Sequence, residues 1–324
     1  MSSKEGRRVY VSRPIPEPGL ELLRASCDME VKPTDELVPR EELLEKVKGR
    51  DALLCLLTET IDGEVMDAGS DLKIIANYAV GYNNIDVDAA TERGIWVSNT
   101  PGVLTDTTAD MAWALMFAIG RRIVEADKFL RAGKFHGWSA TMLLGGDISG
   151  KTLGLVGVGR IGNAVARRSV GFNMRVLYSD LYPNEALEKD IGAKHVDMDT
   201  LLKEADFVSV HVPLMPETTH LINARALGLM KPTAYLINTS RGPVVDEAAL
   251  VEALRNGVIG GAGLDVFEDE PELKPGLADL DNVVITPHTA SGSVDTRGKM
   301  AYMAAENVVA ALDGKTPPNA VNKV

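Results

Sequence analysis

The run Leu153–Val156 leads directly into Gly157-Val158-Gly159-Arg160-Ile161-Gly162, and an amphipathic stretch, Ile161–Ser169, follows. An apolar strand, a G-x-G-x-x-G turn and a helix in that order leave little freedom for the fold. The first glycine permits a tight turn, the second lets a phosphate approach the backbone, and the third lets helix and strand pack closely. N–H groups opening the helix then attract the phosphate. A second strand, Arg175–Ser179, ends at Asp180, eighteen positions beyond Gly162. An acidic residue at about that spacing binds a ribose 2′-hydroxyl. Its charge opposes a 2′-phosphate, and Leu181 and Tyr182 bring no positive charge, so NAD is favoured over NADP.

The turn belongs to a longer alternation. Strands are expected at Leu153–Val156, Arg175–Ser179, Phe207–His211, Ala234–Asn238, Gly261–Asp265 and Val283–Thr286, with clear helices at Ile161–Ser169 and Asp246–Asn256. An earlier alternation places strands at Val9–Ser12, Ala52–Leu57, Lys73–Ala76 and Trp96–Ser98, and helices at Glu17–Ala25, Pro39–Lys48 and Ile85–Arg93. The pattern predicts an α/β protein built from parallel sheets. Between the units, Met111, Trp113, Leu115, Met116, Phe117 and Ile119 make one helix apolar on nearly all sides. Such a helix needs burial on several faces, between domains or against a second subunit. Thr107 and Asp110 are a possible capping pair for it. A last helix spans Val294–Leu312 and stops before Pro317-Pro318.

At 324 residues the chain is long enough for two domains. The net charge of −12 and the lack of any long basic run argue against nucleic-acid or anionic-membrane binding. The longest strongly apolar stretch, Ala112–Ile119, is too short to span a bilayer. Met1–Arg8 is polar and does not resemble a secretory signal. Cys27 and Cys55 have no metal-ligand spacing, and a reducing cytoplasm is expected.

Three further segments follow expected strands: Asn238-Thr239-Ser240-Arg241-Gly242-Pro243, Leu264–Pro271 and Ile285-Thr286-Pro287-His288-Thr289-Ala290. Ligands of open parallel sheets lie at the carboxyl ends of the strands, where Arg241, Glu270 and His288 can converge. His136, His195 and His220 lie in polar segments and read as surface residues, and no cluster suggests a metal.

These segments, the glycine turn, His211-Val212-Pro213-Leu214, Asn77–Asp86 and Asn99-Thr100-Pro101-Gly102 together resemble the D-isomer-specific 2-hydroxyacid dehydrogenases, most closely the glyoxylate/hydroxypyruvate reductase type. The resemblance implies two doubly wound domains. A flavodoxin-like substrate domain would comprise 1–99 and 289–324, and a Rossmann cofactor domain 100–288. It implies a homodimer that uses the apolar helix, and NADH-dependent reduction of a small 2-keto acid to its D-2-hydroxy acid. Arg241 would anchor the substrate carboxylate, because a guanidinium fork matches it bidentately. Val80 and Gly81 would add backbone N–H groups. His288 would exchange the proton, with Glu270 orienting it. Cofactor contacts are implied for Thr108, for Gly157, Val158, Gly159, Arg160, Ile161, Gly162 and Asp180, for His211, Val212 and Pro213, and for Thr239, Ser240, Asp265, His288 and Ala290. The chain departs from the family pattern at Thr289-Ala290 and at Met142, which leaves the keto acid open. D-lactate or 3-phosphoglycerate dehydrogenases, and NAD-sensing co-repressors of the same fold, are the competing readings.

Overall fold

Five parallel strands form the first sheet: β1 (Arg8–Val11), β2 (Asp28–Val31), β3 (Ala52–Cys55), β4 (Ile74–Asn77) and β5 (Trp96–Ser98). Their order is β2-β1-β3-β4-β5, the flavodoxin-like order. The inner strands β3 and β4 are buried at every position and read as continuous apolar runs because both faces are covered by helices. The computed structural model describes residues 7–324, so Met1–Gly6 of the polar N-terminal stretch lie outside the described residues.

Seven parallel strands form the second sheet: β6 (Thr152–Val156), β7 (Arg175–Ser179), β8 (Lys194–His195), β9 (Phe207–Val210), β10 (Tyr235–Asn238), β11 (Gly261–Leu264) and β12 (Val283–Ile285). The order β12-β11-β10-β9-β6-β7-β8 is the Rossmann order with one added edge strand. The chain up to Leu104 and Gly292–Val324 form one compact unit, and Thr105–Ser291 form the other. Both crossings fall slightly beyond the expected 99 and 288.

Two strands went unrecognised in the sequence for a common reason. β2 alternates charged and apolar residues and has no fully buried position, and β8 is a two-residue edge strand with both residues exposed. Neither has the buried apolar run that marks an inner strand.

The apolar helix, Thr105–Gly120, finds its burial inside the second unit. Ala109, Ala112, Trp113, Leu115, Met116 and Ile119 join the core that includes Leu153, Val165 and Ile237. Trp113 donates its indole N–H to the Val165 carbonyl at 3.1 Å and stacks on Phe172. The helix begins at Thr105, ahead of the expected Thr107/Asp110 start. Thr107 lies within the first turn, and Asp110 accepts from Arg168 Nε at 2.8 Å.

In the first unit the long helix Val294–Leu312 packs on Glu17–Ser26 and on β3–β5. Gly19 marks the helix crossing, where an added Cβ would stand 2.5 Å from the Ala301 carbonyl oxygen and 2.8 Å from its Cβ. The backbones therefore touch, and a methyl group there forces them apart. Gly19→Ala should cost about 1–3 kcal/mol of stability and lower the urea midpoint, read by circular dichroism. An unchanged or higher midpoint would contradict this packing.

Candidate active site

The six strands β6, β7 and β9–β12 present their carboxyl ends on one edge of the second sheet, and every proposed cofactor or catalytic segment of that unit except Thr108 follows one of them. Gly157 follows β6 with a φ of 89°, in the region glycine adopts without strain. An added Cβ on it would crowd Val212 and the His211 carbonyl. One on Gly162 would overlap the Gly157 carbonyl oxygen. At Gly159 a Cβ would meet nothing within 4 Å. The outer glycines thus satisfy the protein's own packing, whereas the middle one keeps space clear. Gly159 is also the N-cap of Arg160–Arg168, with no side-chain cap bond, so the opening amides suit a phosphate.

Asp180 follows β7, and its Oδ2 accepts the Val158 N–H at 2.8 Å while Oδ1 accepts the Leu181 N–H at 2.7 Å. The carboxylate therefore lies against the glycine turn. Leu181 and Tyr182 beside it are both highly exposed. His195, read as a surface residue, is exposed but bonded: Nε2 meets the Asp180 carbonyl at 2.9 Å. His211 follows β9, where burial pushes its pKa down to about 3 and so favours a neutral ring, with Nε2 2.9 Å from Ser209 Oγ. Val212 and Pro213 continue that loop. Thr108 lies buried in the first turn of its helix. Thr239 carries a buried hydroxyl with no hydrogen-bond partner. That hydroxyl, the open Gly159 and the uncapped helix are features a dinucleotide would satisfy.

Asn238 ends β10 and organises the next turn. Its Oδ1 accepts the Ser240 N–H at 3.0 Å and hydroxyl at 2.8 Å, while Nδ2 donates to the Arg241 carbonyl at 3.0 Å. Arg241 is part-buried. Burial draws its guanidinium below the ordinary value, and the charge of Glu270 acts in the opposite sense. An added Cβ on Gly242 would overlap the Phe267 carbonyl, so the Arg241 loop lies directly on the loop leading to Glu270.

His288 Nδ1 lies 2.9 Å from Glu270 Oε2, and Glu270 Oε1 accepts the Phe267 N–H at 3.0 Å. Burial opposes ionisation of Glu270, but hydrogen bonds from His288 and Phe267 and the charges of His288 and Arg241 prevail, holding its carboxyl below the usual range. Glu270 is thus an anion at neutral pH and accepts a hydrogen bond from the Nδ1–H. The other ring nitrogen, Nε2, is left to exchange protons with a ligand. His288 has a φ of 51°, a left-handed conformation rare outside glycine and most often tolerated where a site demands it. Its N–H is shared between the Asp265 and Thr286 carbonyls at 2.8 and 3.0 Å.

Asp265 is fully enclosed. Its Oδ1 accepts from Thr286 Oγ1 and from the Thr289 N–H at 2.8 Å, and Oδ2 accepts the Ala290 N–H at 2.7 Å. The carboxylate and the Ala290 amide, both expected at the cofactor, are therefore joined to each other in fixing the His288 turn. Asn238 and Thr286 were not singled out in the sequence. Their positions at strand ends were the available signal.

In the first unit, the loop after β4 carries Val80 and Gly81. Asn99 Nδ2 donates to the Val80 carbonyl at 2.7 Å and Asn77 Nδ2 to the Gly81 carbonyl at 2.8 Å. Both carbonyls are thereby fixed within that unit, which also fixes the planes of the adjoining amides.

Residues 113–290 match the family model described as D-isomer specific 2-hydroxyacid dehydrogenase, NAD binding domain. The chain is 53% identical over 319 residues to a glyoxylate reductase of Korarchaeum cryptofilum, covering 98% of this chain and 96% of that one. A glyoxylate reductase of Thermococcus onnurineus is 51% identical over 320 residues, with the same coverage. Among solved structures, a protein of Thermus thermophilus superimposes with a TM-score of 0.91 at 47% identity, over 97% of this chain and all of that one. The chain belongs to the D-isomer-specific 2-hydroxyacid dehydrogenase family.

The depressed Glu270 pKa has a consequence for stability. A carboxyl whose folded pKa lies below its unfolded value stabilises the fold above the unfolded value and loses that contribution as pH falls through the folded one. Wild type should therefore melt above Glu270→Gln at pH 7, and the gap should close below about pH 4, where unfolded carboxyls protonate. Thermal melts across pH read this directly, and a gap constant down to about pH 3 would contradict the ion-paired geometry.

Proposed function

We propose that the chain reduces a small 2-keto acid, glyoxylate or hydroxypyruvate, to the D-2-hydroxy acid with NADH. The observation that carries this reading is the Glu270–His288 bond of 2.9 Å, set at the strand ends of the glycine-turn sheet with Arg241 as Glu270's charged neighbour. The names of the relatives, glyoxylate reductases at 51–53% identity, support the substrate class.

Bound NADH supplies the hydride. Arg241 anchors the substrate carboxylate. His288 delivers a proton from Nε2 to the carbonyl oxygen and takes it back in oxidation. Glu270 holds the ring by Nδ1 and stabilises the imidazolium while it exists. The glycine turn, with Val158, Arg160 and Ile161, receives the pyrophosphate. Asp180 receives the ribose hydroxyls, and Thr239, Ser240 and the His211–Pro213 loop line the remainder.

NADH is favoured over NADPH by the Asp180 carboxylate and by the uncharged Leu181 and Tyr182 beside it. A structural neighbour from Sinorhizobium meliloti, 34% identical with a TM-score of 0.85 and covering 98% of this chain and 97% of its own, is an NADPH-dependent glyoxylate/hydroxypyruvate reductase. The NADH reading therefore rests on the loop after β7 of this chain. A cytoplasmic homodimer completes the reading. Both cysteines are buried, and Ile123, Leu130, Phe135, Trp138 and Leu144 expose apolar surface within one short stretch.

Absorbance of the reduced nicotinamide with glyoxylate, hydroxypyruvate, pyruvate, 2-oxobutyrate and phosphohydroxypyruvate, each with NADH and NADPH, tests the proposal. Glyoxylate or hydroxypyruvate with NADH should turn over fastest, and His288→Ala should lower kcat by about 10²–10⁴-fold. Near-normal turnover in that variant contradicts the assigned chemistry. Tight NADH binding without turnover of any acid would favour the sensing role.

A further inference from the structure

Arg241 and Glu270 stand on different loops, and two carboxylates outside the catalytic set tie those loops together. Glu247, only 3% exposed, opens the helix Glu247–Arg255 that follows the Arg241 loop. Its Oε2 accepts the Glu268 N–H at 2.7 Å and its Oε1 the Lys274 N–H at 2.9 Å. Glu268 reciprocates, its Oε2 accepting the Glu247 N–H at 3.1 Å. His220 closes the ring. Its N–H donates to the Pro243 carbonyl at 2.8 Å, and its Nε2 lies 3.1 Å from Glu268 Oε1. Lys274 Nζ stands 3.8 Å from the same oxygen. Pro243 is two residues after Arg241, and Glu268 two before Glu270.

We propose that the Glu247–Glu268 clasp, closed by His220, consists of positioning residues that hold Arg241 and Glu270 in register. The inference rests on the keto-acid reductase reading given above. No side-chain layer separates the two loops, since Gly242 lies directly against the Phe267 carbonyl. Register is then set by what crosses between them, and the clasp supplies two direct bonds, with His220 bridging Glu268 to the Pro243 carbonyl. A shift of the loops moves the carboxylate anchor away from the group that orients the histidine, so it affects substrate binding and chemistry together.

The hydrogen-bond pattern distinguishes this role from bulk stability. Glu268 needs an acceptor toward the Glu247 N–H, whereas its other oxygen faces a histidine nitrogen that one tautomer makes a donor and the other an acceptor. A glutamine meets both needs, accepting from Glu247 and donating to His220, and an alanine meets neither.

The test compares wild type, Glu268→Ala and Glu268→Gln by steady-state kinetics with the preferred keto acid. NADH affinity, and oxalate affinity of the NADH complex, are followed by fluorescence. Glu268→Ala should raise KM about fivefold, lower kcat about tenfold and weaken oxalate similarly, with NADH affinity unchanged. Glu268→Gln should restore all three to within about twofold. Wild-type KM and oxalate affinity in Glu268→Ala, or equal damage in Glu268→Gln, would overturn the clasp. A wild type that reduces no keto acid would refute the reductase reading instead, and oxalate binding would still decide the register.

Discussion

The enclosed carboxylate of Asp265 is the interaction on which the site's geometry depends. It follows β11, yet all of its acceptor capacity is directed to the turn after β12. The turn must place His288 at positive φ, a conformation that a non-glycine residue does not hold unaided. Two backbone amides and a threonine hydroxyl converging on one carboxylate supply the constraint. The His288 N–H, bonded to the carbonyl of the same aspartate, adds to it. The strain is local, and the buried polar network compensates it.

Much of the second sheet was legible because inner parallel strands carry an unmixed apolar signal. β7 matches its expected bounds, and β6 and β9–β12 each differ from theirs by one residue at one end. The glycine turn was legible for a different reason: each glycine answers a separate steric demand, two internal and one toward a ligand. The choice of Arg241, Glu270 and His288 as candidates came through family resemblance, since a lone arginine, glutamate or histidine carries no such message.

What the sequence hid was mostly long-range. Asp110 fits a local cap by spacing, but Arg168, 58 residues on, takes it. The apolar helix announced that it needs several partners without naming them, and they proved to be the strands and helix of its own unit. His220 read as a surface residue because its segment is polar. Its partner, Glu268, lies 48 positions away and becomes visible only when the Arg241 and Glu270 loops meet.

The most direct test of this account is single-turnover hydride transfer in Asp265→Asn, mixed with NADH and keto acid in a stopped-flow instrument. An amide at this position must present an NH₂ group to an N–H or hydroxyl donor, because each carboxylate oxygen now accepts from one. The account predicts that NADH still binds while the transfer rate falls by about two orders of magnitude, as the His288 turn loses its anchor. Transfer at the wild-type rate would show that the turn holds His288 without Asp265, and would contradict the central claim.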